Sequence, residues 1–76
     1  MLFFQLTELN KLDADEFIEC MFEWRTYGLV IPSLRGDVQV EFGDFIIKHD
    51  DGTYGSMTKA EYDKYTDFLI KKRKIF

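Results

Sequence analysis

The chain has 76 residues, of which 46% are hydrophobic and 17% are aromatic, and its net charge at pH 7 is −4. This composition predicts one small folded domain over residues 1–76 and argues against a disordered chain, because disordered chains contain few aromatic residues. Residues 1–70 contain 14 acids and 6 bases, a net charge of −8, whereas residues 71–74 add four bases. An acidic body repels nucleic-acid phosphates, so a protein partner with a basic surface is favoured over nucleic acid.

The cysteine content and the hydropathy pattern exclude several further classes of protein. Cys20 is the only cysteine, which excludes an internal disulfide and a thiolate cluster for zinc. The start of the chain lacks the basic flank and the long apolar core of a signal peptide, and no apolar run is long enough to span a membrane. We therefore expect a protein of the reducing cytoplasm, with no cofactor and no membrane partner.

The first 28 residues predict a strand followed by a helix. Residues 1–7 alternate apolar side chains and include two aromatic rings, which favours a strand. Residues 13–28 predict the first helix, with Asp13 as its N-terminal cap and Gly28 at its C-terminal end. Its buried stripe at helical spacing is expected to contain Phe17, Cys20, Met21 and Trp24, widened by Ala14, Ile18 and Phe22.

Four short extended segments follow the first helix, and turns separate them. They are residues 29–34, 38–42, 45–49 and 53–57. Gly43 and Asp44 predict a tight turn or a bulge. Asp51 and Gly52 predict a hairpin with a type I′ turn, because this pair supplies the positive φ angles that the turn requires.

Residues 58–74 predict the second helix. Thr58 and Glu61 have the T-x-x-E spacing of a capping box, in which each side chain bonds to the backbone of the other residue. The apolar stripe of this helix contains Tyr62, Tyr65, Phe68 and Leu69. The predicted order is β-α-β-β-β-β-α, an α+β fold with a small, mostly antiparallel sheet and two helices.

One segment of the chain resembles a known family. It runs Gly43-Asp44-Phe45-Ile46-Ile47-Lys48, and Gly52, Thr53 and Tyr54 follow after a short turn. This pattern is similar to that of a family of small phage and prophage proteins, whose signature is Pro-Gly-Asp-Trp-Ile-Ile-Lys, a turn and Gly-Glu-Phe-Tyr. Phe42 stands in place of the family's proline and Phe45 in place of its tryptophan. The resemblance implies a phage origin, a small β-rich fold and a location in the host cytoplasm, and it carries over no catalytic residue.

The polar residues near the second hairpin favour a solvated turn over a catalytic or metal site. His49, Asp50 and Asp51 are too few for a hard cation, which takes six or more oxygen ligands, and too few for zinc. Cys20 with His49 has the residue types of a nucleophile and its base, but Cys20 falls on the predicted apolar stripe, where cysteine behaves as a small hydrophobic residue. We therefore predict no metal site and no catalytic residue, and the chain is not expected to be an enzyme.

Charge and aromatic content point instead to a protein-binding surface. Asp15, Glu19 and Glu23 are four residues apart and predict an acidic stripe on the first helix. Thirteen aromatic side chains exceed what so small a domain can bury, and exposed aromatic residues mark partner surfaces. The predicted partner-binding residues are Asp15, Glu19, Glu23, Phe3, Phe4 and Tyr54.

These features predict a phage accessory protein that binds and inhibits a host protein, for instance through the basic groove of a nucleic-acid-handling machine. Two alternatives remain open. One is a virion or assembly component that forms a homo-oligomer through its aromatic surface. The other is a regulator that binds nucleic acid through the basic residues 71–74.

Overall fold

Six strands and two helices occupy the part of the chain that the computed structural model describes, which is the backbone of residues 1–74 and the side chains of residues 1–69. In chain order these elements are β1 (Leu2–Gln5), α1 (Lys11–Phe17), β2 (Glu23–Arg25), β3 (Gly28–Ile31), β4 (Val38–Glu41), β5 (Phe45–Lys48), β6 (Tyr54–Met57) and α2 (Lys59–Lys74). Every strand pair is antiparallel. The predicted α+β class is confirmed, with one strand, β2, where the sequence predicted a continuing helix.

The strands form two three-stranded sheets. Sheet A has the order β1-β5-β6, so a strand from the start of the chain pairs with one from its second half, and Phe3 lies opposite Ile47. Sheet B has the order β2-β3-β4 and consists of consecutive hairpins. β4 packs beside β6, and this contact brings the two sheets together.

The hydrophobic core lies between the two sheets and α1. Successive side chains of a strand point to opposite faces, so Phe4 and Ile46, which are paired across β1 and β5, share one face of sheet A. That face packs toward Leu29 and Val40, which are paired across β3 and β4. The buried residues of this cluster are Leu6, Ala14, Ile18, Leu29, Ile31, Val40 and Ile46. Two of them, Ala14 and Ile18, belong to the predicted stripe of the first helix.

Helix α2 covers the opposite face of sheet A. The predicted capping box is confirmed, because the Thr58 N–H donates to Glu61 Oε1 at 3.2 Å and the Glu61 N–H donates to Thr58 Oγ1 at 3.1 Å. The ring of Tyr62 stacks on Phe45, with centroids 3.8 Å apart, and meets Phe3 edge-on at 5.6 Å. The first turns of α2 are therefore fixed to the sheet by aromatic contacts.

The first helix is much shorter than the sequence predicted. Its N-cap position is occupied by Asn10 instead of Asp13, without a capping side-chain hydrogen bond. The helix ends at Phe17, because Ile18 takes the extended φ and ψ angles of −91° and 108°. Residues 23–25 are a strand because their backbone pairs with β3. The predicted core residues that are instead exposed are Cys20, Met21 and Trp24. The prediction of one buried stripe through residue 24 was therefore wrong.

Gly28 does not end a helix, as the sequence had predicted. It is the first residue of β3 and pairs with Glu41 of β4. A Cβ atom built on Gly28 would lie 1.9 Å from the carbonyl oxygen of Val40, well inside van der Waals contact. Glycine is therefore required here because the backbone of β4 occupies the space of a side chain.

The turn predicted at Gly43 and Asp44 is confirmed. The Asp44 N–H donates to the Glu41 carbonyl at 3.0 Å, and Gly43 takes a φ angle of 98°. The Gly43 N–H also donates to the Leu6 carbonyl at 2.7 Å, and the Leu6 N–H donates to the Asp44 carbonyl at 2.9 Å. This turn therefore extends the contact of sheet A beyond the end of β1.

The hairpin between β5 and β6 is confirmed, but its turn is not of type I′. That type needs positive φ at both central residues, and only glycines have positive φ among the described residues. The Gly52 N–H donates to the His49 carbonyl at 3.0 Å, and the His49 N–H donates to the Thr53 carbonyl at 2.9 Å. Residues 50–52 therefore form a three-residue loop, closed by Gly52 at a φ of 88°.

Candidate protein-binding surface

Five exposed acidic side chains lie on and beside α1. Together they are called the α1 acidic surface, and they are Glu8, Asp13, Asp15, Glu16 and Glu19. Apart from Glu19, none of them forms a salt bridge with another described residue. Lys11 is the one base of the sequence between residues 8 and 19, and its Nζ lies 5.4 Å from the ring centroid of Trp24 and 5.3 Å from that of Phe42. This lysine is therefore held by cation–π contacts with the two aromatic rings. Residues 8–19 contain five acids and one base, so the net charge of this segment is −4.

Two leucines are exposed among these acids. Leu9 is 99% exposed and Leu12 is 82% exposed. α1 turns Ala14 and Phe17 toward the core, which leaves Leu12 and the neighbouring acids on its outer side. The α1 acidic surface therefore offers apolar contacts as well as charge. Sequence reasoning missed these leucines because it began the helix at residue 13.

Glu19 is the one member of this surface that is tied to the body of the protein. Its Oε2 lies 2.9 Å from Lys48 Nζ on β5, and its backbone N–H donates to the Tyr54 hydroxyl at 2.8 Å. The hydrogen bond from Lys48 to the Glu19 carboxylate raises the pKa of the Lys48 ammonium above its usual value. These contacts hold the segment that leaves α1 against sheet A.

The predicted acidic stripe does not exist as one helix face. Asp15 lies in α1, Glu19 follows the end of that helix, and Glu23 lies in β2. Glu23 also forms a salt bridge with Arg25, at 2.5 Å. Because side chains alternate along a strand, Glu23 and Arg25 share one face of sheet B, opposite to the face that carries Trp24. Two of the three acids thus belong to the α1 acidic surface, and Glu23 does not.

The three aromatic residues predicted for the partner surface are half-buried inside the fold. Phe3 contacts the rings of α2, and Phe4 stacks on Phe17 with centroids 5.3 Å apart. Tyr54 accepts the hydrogen bond of the Glu19 N–H, as above. The large apolar side chains that are exposed instead are Met1, Leu2, Leu9, Leu12, Met21, Trp24, Tyr27, Leu34, Tyr65, Phe68 and Leu69.

A comparison with protein families, curated proteins and solved structures finds nothing that matches the chain. The resemblance to the phage family therefore stays a prediction from residues 43–54. The candidate surface rests on the geometry and charge of this chain alone.

An open pocket of about 430 Å³ lies between the loop after β3 and the tip of the β5–β6 hairpin. Cys20, His49, Arg35 and Tyr54 are among the residues that line it. The prediction that Cys20 is buried was wrong, since this cysteine is exposed at the pocket. Within the described residues, no group of three or more histidine, cysteine or acidic side chains is placed to hold a metal ion.

Two further features bear on partners. The side chains of the predicted basic patch, Lys71–Lys74, lie outside the described residues, although the backbone there continues α2. No described helix combines the length and the apolar character needed to cross a membrane.

Proposed function

We propose that this chain is a non-enzymatic accessory protein that binds a basic surface of another protein through the α1 acidic surface. The observation that carries the proposal is the group of acids at residues 8–16 that have no salt-bridge partner among the described residues, with Leu9 and Leu12 fully or largely exposed between them. Exposed acids are expected on a helix face that contacts only water, but two exposed leucines among them are not. An apolar contact bordered by charge is the composition of an interface.

The electrostatics favour a partner with a concentrated positive charge. Residues 8–19 have a net charge of −4, and residues 1–70 as a whole have one of −8. Such a field raises the association rate with a basic partner and repels nucleic acid. A groove that normally binds nucleic acid has the required positive charge. If this chain binds in such a groove, it prevents nucleic acid from binding there.

The resemblance of residues 43–54 to phage proteins supports a host protein as the target. In this proposal the chain is phage-encoded and acts in the cytoplasm of the host, where it inhibits a defence complex or another nucleic-acid-handling machine. Inhibition follows from competition, because the acidic surface and the nucleic acid occupy the same basic groove.

A matched pair of charge variants tests the proposal. In the first, Asp13 and Asp15 are changed to Lys; in the control, Asp37 and Glu41 are changed to Lys, which alters the net charge equally at exposed positions outside α1 that form no salt bridge with another described residue. Proteins captured from host lysate by the wild type are identified by mass spectrometry and purified. Their association rates are then measured by surface plasmon resonance at two salt concentrations.

We expect the captured protein to be one that binds nucleic acid. Its association rate should be similar for the wild type and the control, but at least about tenfold lower for the α1 variant, because electrostatic steering depends on local charge. Added nucleic acid should displace the chain from it. Equal losses in the two variants would show that net charge, and not the α1 acidic surface, carries the binding. Binding unchanged in both would refute the proposal.

A further inference from the structure

Strand β2 forms an open edge of sheet B. It is the outermost strand in the order β2-β3-β4, and it is the only described strand whose residues, Glu23, Trp24 and Arg25, are all exposed. The other edge strands are partly covered, since β4 packs beside β6 and, on β1, Asn10 Nδ2 donates to the Gln5 carbonyl at 2.7 Å. An open strand edge can pair with a strand of another chain through its unpaired backbone groups.

The unpaired backbone groups at this edge belong to Trp24. On the other side of β3, the Phe42 N–H donates to the Tyr27 carbonyl at 2.8 Å, in the register that pairs β3 with β4. Because backbone bonding alternates between the two sides of a strand, Tyr27 bonds toward β4, Gly28 toward β2 and Leu29 again toward β4. Trp24 lies opposite Leu29, so its N–H and carbonyl point away from β3. The N–H has no partner among the described residues, and the carbonyl accepts only a long bond of 3.4 Å from the side chain of the next residue.

We propose that β2 pairs antiparallel with β2 of a second copy, so that the two B sheets form one sheet of six strands. Trp24 of one copy then lies opposite Trp24 of the other. Each Trp24 N–H donates to the carbonyl of its equivalent, so both unpaired groups of the edge are satisfied. A two-fold axis passes through this pair, and the assembly closes at two copies because each copy has used its β2 edge.

The charges of β2 select this register. Glu23 and Arg25 lie on one face of the strand, on either side of Trp24. In the proposed register each Glu23 lies opposite the Arg25 of the other copy. A shift by two residues places Glu23 opposite Glu23 or Arg25 opposite Arg25, and like charges directly opposite each other are destabilising. A shift by one residue places the outward groups of Trp24 opposite groups that already bond to β3, so no backbone hydrogen bond forms across the edge.

The same order of charges selects a second copy as the partner strand. A strand that fits this edge in the antiparallel direction needs a base opposite Glu23 and an acid opposite Arg25, and β2 itself supplies both. Edges that are protected from pairing usually contain a proline or an unmatched charge, whereas β2 has no proline and its two charges sum to zero. Beside the strand, Met21 is 89% exposed and Tyr27 is 39% exposed, and the antiparallel direction brings Met21 of one copy toward Tyr27 of the other. Apolar contacts therefore flank the paired charges.

The proposed dimer is expected to be weak because β2 has only three residues. Small interfaces of this kind have dissociation constants of about 10 µM to 1 mM. The dimer uses neither the α1 acidic surface nor the function proposed for that surface, so each can be tested without the other.

Charge-swap variants test the pairing. In sedimentation equilibrium of the full chain up to about 2 mM, which exceeds the expected dissociation constants, the average mass should rise from 9.1 kDa toward twice that value. Glu23→Arg and Arg25→Glu should each raise the dissociation constant at least about tenfold, because like charges then lie opposite each other. An equimolar mixture of these two variants should dimerise about as tightly as the wild type, because every base again lies opposite an acid.

Two controls apply the same changes of net charge away from β2. Asp37→Arg and Lys64→Glu lie at exposed positions that form no salt bridge with another described residue, and they should leave the dissociation constant unchanged. Circular dichroism checks that each variant keeps the fold. Hydrogen exchange followed by NMR tests the backbone contact: the Trp24 N–H should exchange more slowly as the wild-type concentration rises, and at a constant rate in Glu23→Arg.

Four results would overturn the inference. A chain that stays a monomer at every concentration does not pair through β2. A dimer that is as tight in Glu23→Arg as in the wild type uses another surface. A mixture of the two charge-swap variants that stays monomeric does not have the proposed register. A wild-type dimer in which exchange of the Trp24 N–H is independent of concentration does not contain the proposed backbone pair.

Discussion

Replacement of Gly28 by Ala is the most demanding test of the fold, because the sequence alone assigned this residue a different role. In the structure Gly28 begins β3, and its missing side chain leaves room for the backbone of β4. The added Cβ would lie 1.9 Å from the carbonyl oxygen of Val40 and 3.0 Å from the Cα of Glu41. Backbone atoms cannot rotate away, so β3 and β4 must separate at this point.

The expected cost combines two effects. Overpacking against a rigid neighbour costs about 1–3 kcal/mol, and a φ angle that L side chains rarely adopt costs about 1–2 kcal/mol. Replacing glycine also lowers the entropy of the unfolded chain, which returns about 0.4–1 kcal/mol. The free energy of unfolding should therefore fall by about 2–4 kcal/mol. For a chain of this length the total is about 4–11 kcal/mol, so the loss is a large fraction of it.

Urea and thermal unfolding measured by circular dichroism provide the assay. The melting temperature should fall by about 10–30 °C, from about 4–8 °C for each kcal/mol in a domain of this size. Gly36→Ala is the matched control, because Gly36 has a φ of 121° but nothing within 4 Å of its added Cβ. If the two variants unfold with free energies within about 0.5 kcal/mol of each other, the close contact with β4 is not what requires glycine.

Three further predictions concern the stability of the fold. Trp24→Ala should cost less than about 2 kcal/mol because its side chain is 37% exposed, whereas Ile46→Ala, at a fully buried site, should cost about 2–5 kcal/mol; urea unfolding of both variants checks the order. Gly52→Val should lower the melting temperature, because a β-branched residue resists the φ of 88° in the hairpin loop, and an unchanged melting temperature would contradict that role. The hydrogen bonds from Thr53 hold the pKa of Asp51 below its usual value, so this carboxylate stabilises the fold above about pH 4 and the contribution is lost as the pH falls. Thr53→Val should move the pKa of Asp51 back up in a carboxyl NMR titration, and no movement would show that the hydroxyl is not a cause.

The parts of the fold that could be predicted from the sequence are those fixed by neighbouring residues. The capping box of Thr58 and Glu61, the turn at Gly43 and Asp44, and the hairpin that Gly52 closes all depend on contacts within a few positions. Local patterns of this kind can be recognised in the sequence, because the residues that form the pattern also form the hydrogen bonds. The α+β class followed from them.

The end of the first helix could not be predicted, because the spacing of the apolar residues does not show that the backbone of residues 23–25 pairs with β3. Residues 17–24 contain apolar side chains at helical spacing, yet residues 23–25 pair with β3 and form a strand. Backbone pairing overrides a weak helical preference when it completes a sheet. The candidate surface therefore differs from the predicted one. Glu23 lies in β2 and is not part of an acidic helix face, and Leu12 is exposed on the outer side of α1.

The α2 side of the molecule was predicted only in part for a related reason. A stripe of apolar residues at helical spacing shows which face of a helix is buried but not how far along its length the burial continues. Phe68 belongs to the same predicted stripe as Tyr62, yet Tyr62 packs on Phe45 and Phe68 is 62% exposed.

The pairing of β1 with β5 also has a consequence for how the chain acquires its structure during synthesis. Leu2 pairs with Lys48, 46 positions later, whereas the hairpins of sheet B join residues less than twenty positions apart. At about 5–20 residues per second, a ribosome needs about 2–9 s to extend the chain from one end of this pair to the other. Throughout that interval the apolar β1 has no partner strand, and sheet B can close first because its loops are short. A nascent chain of this protein is therefore expected to expose an unpaired aromatic strand, a segment that chaperones recognise, until β5 has left the ribosome.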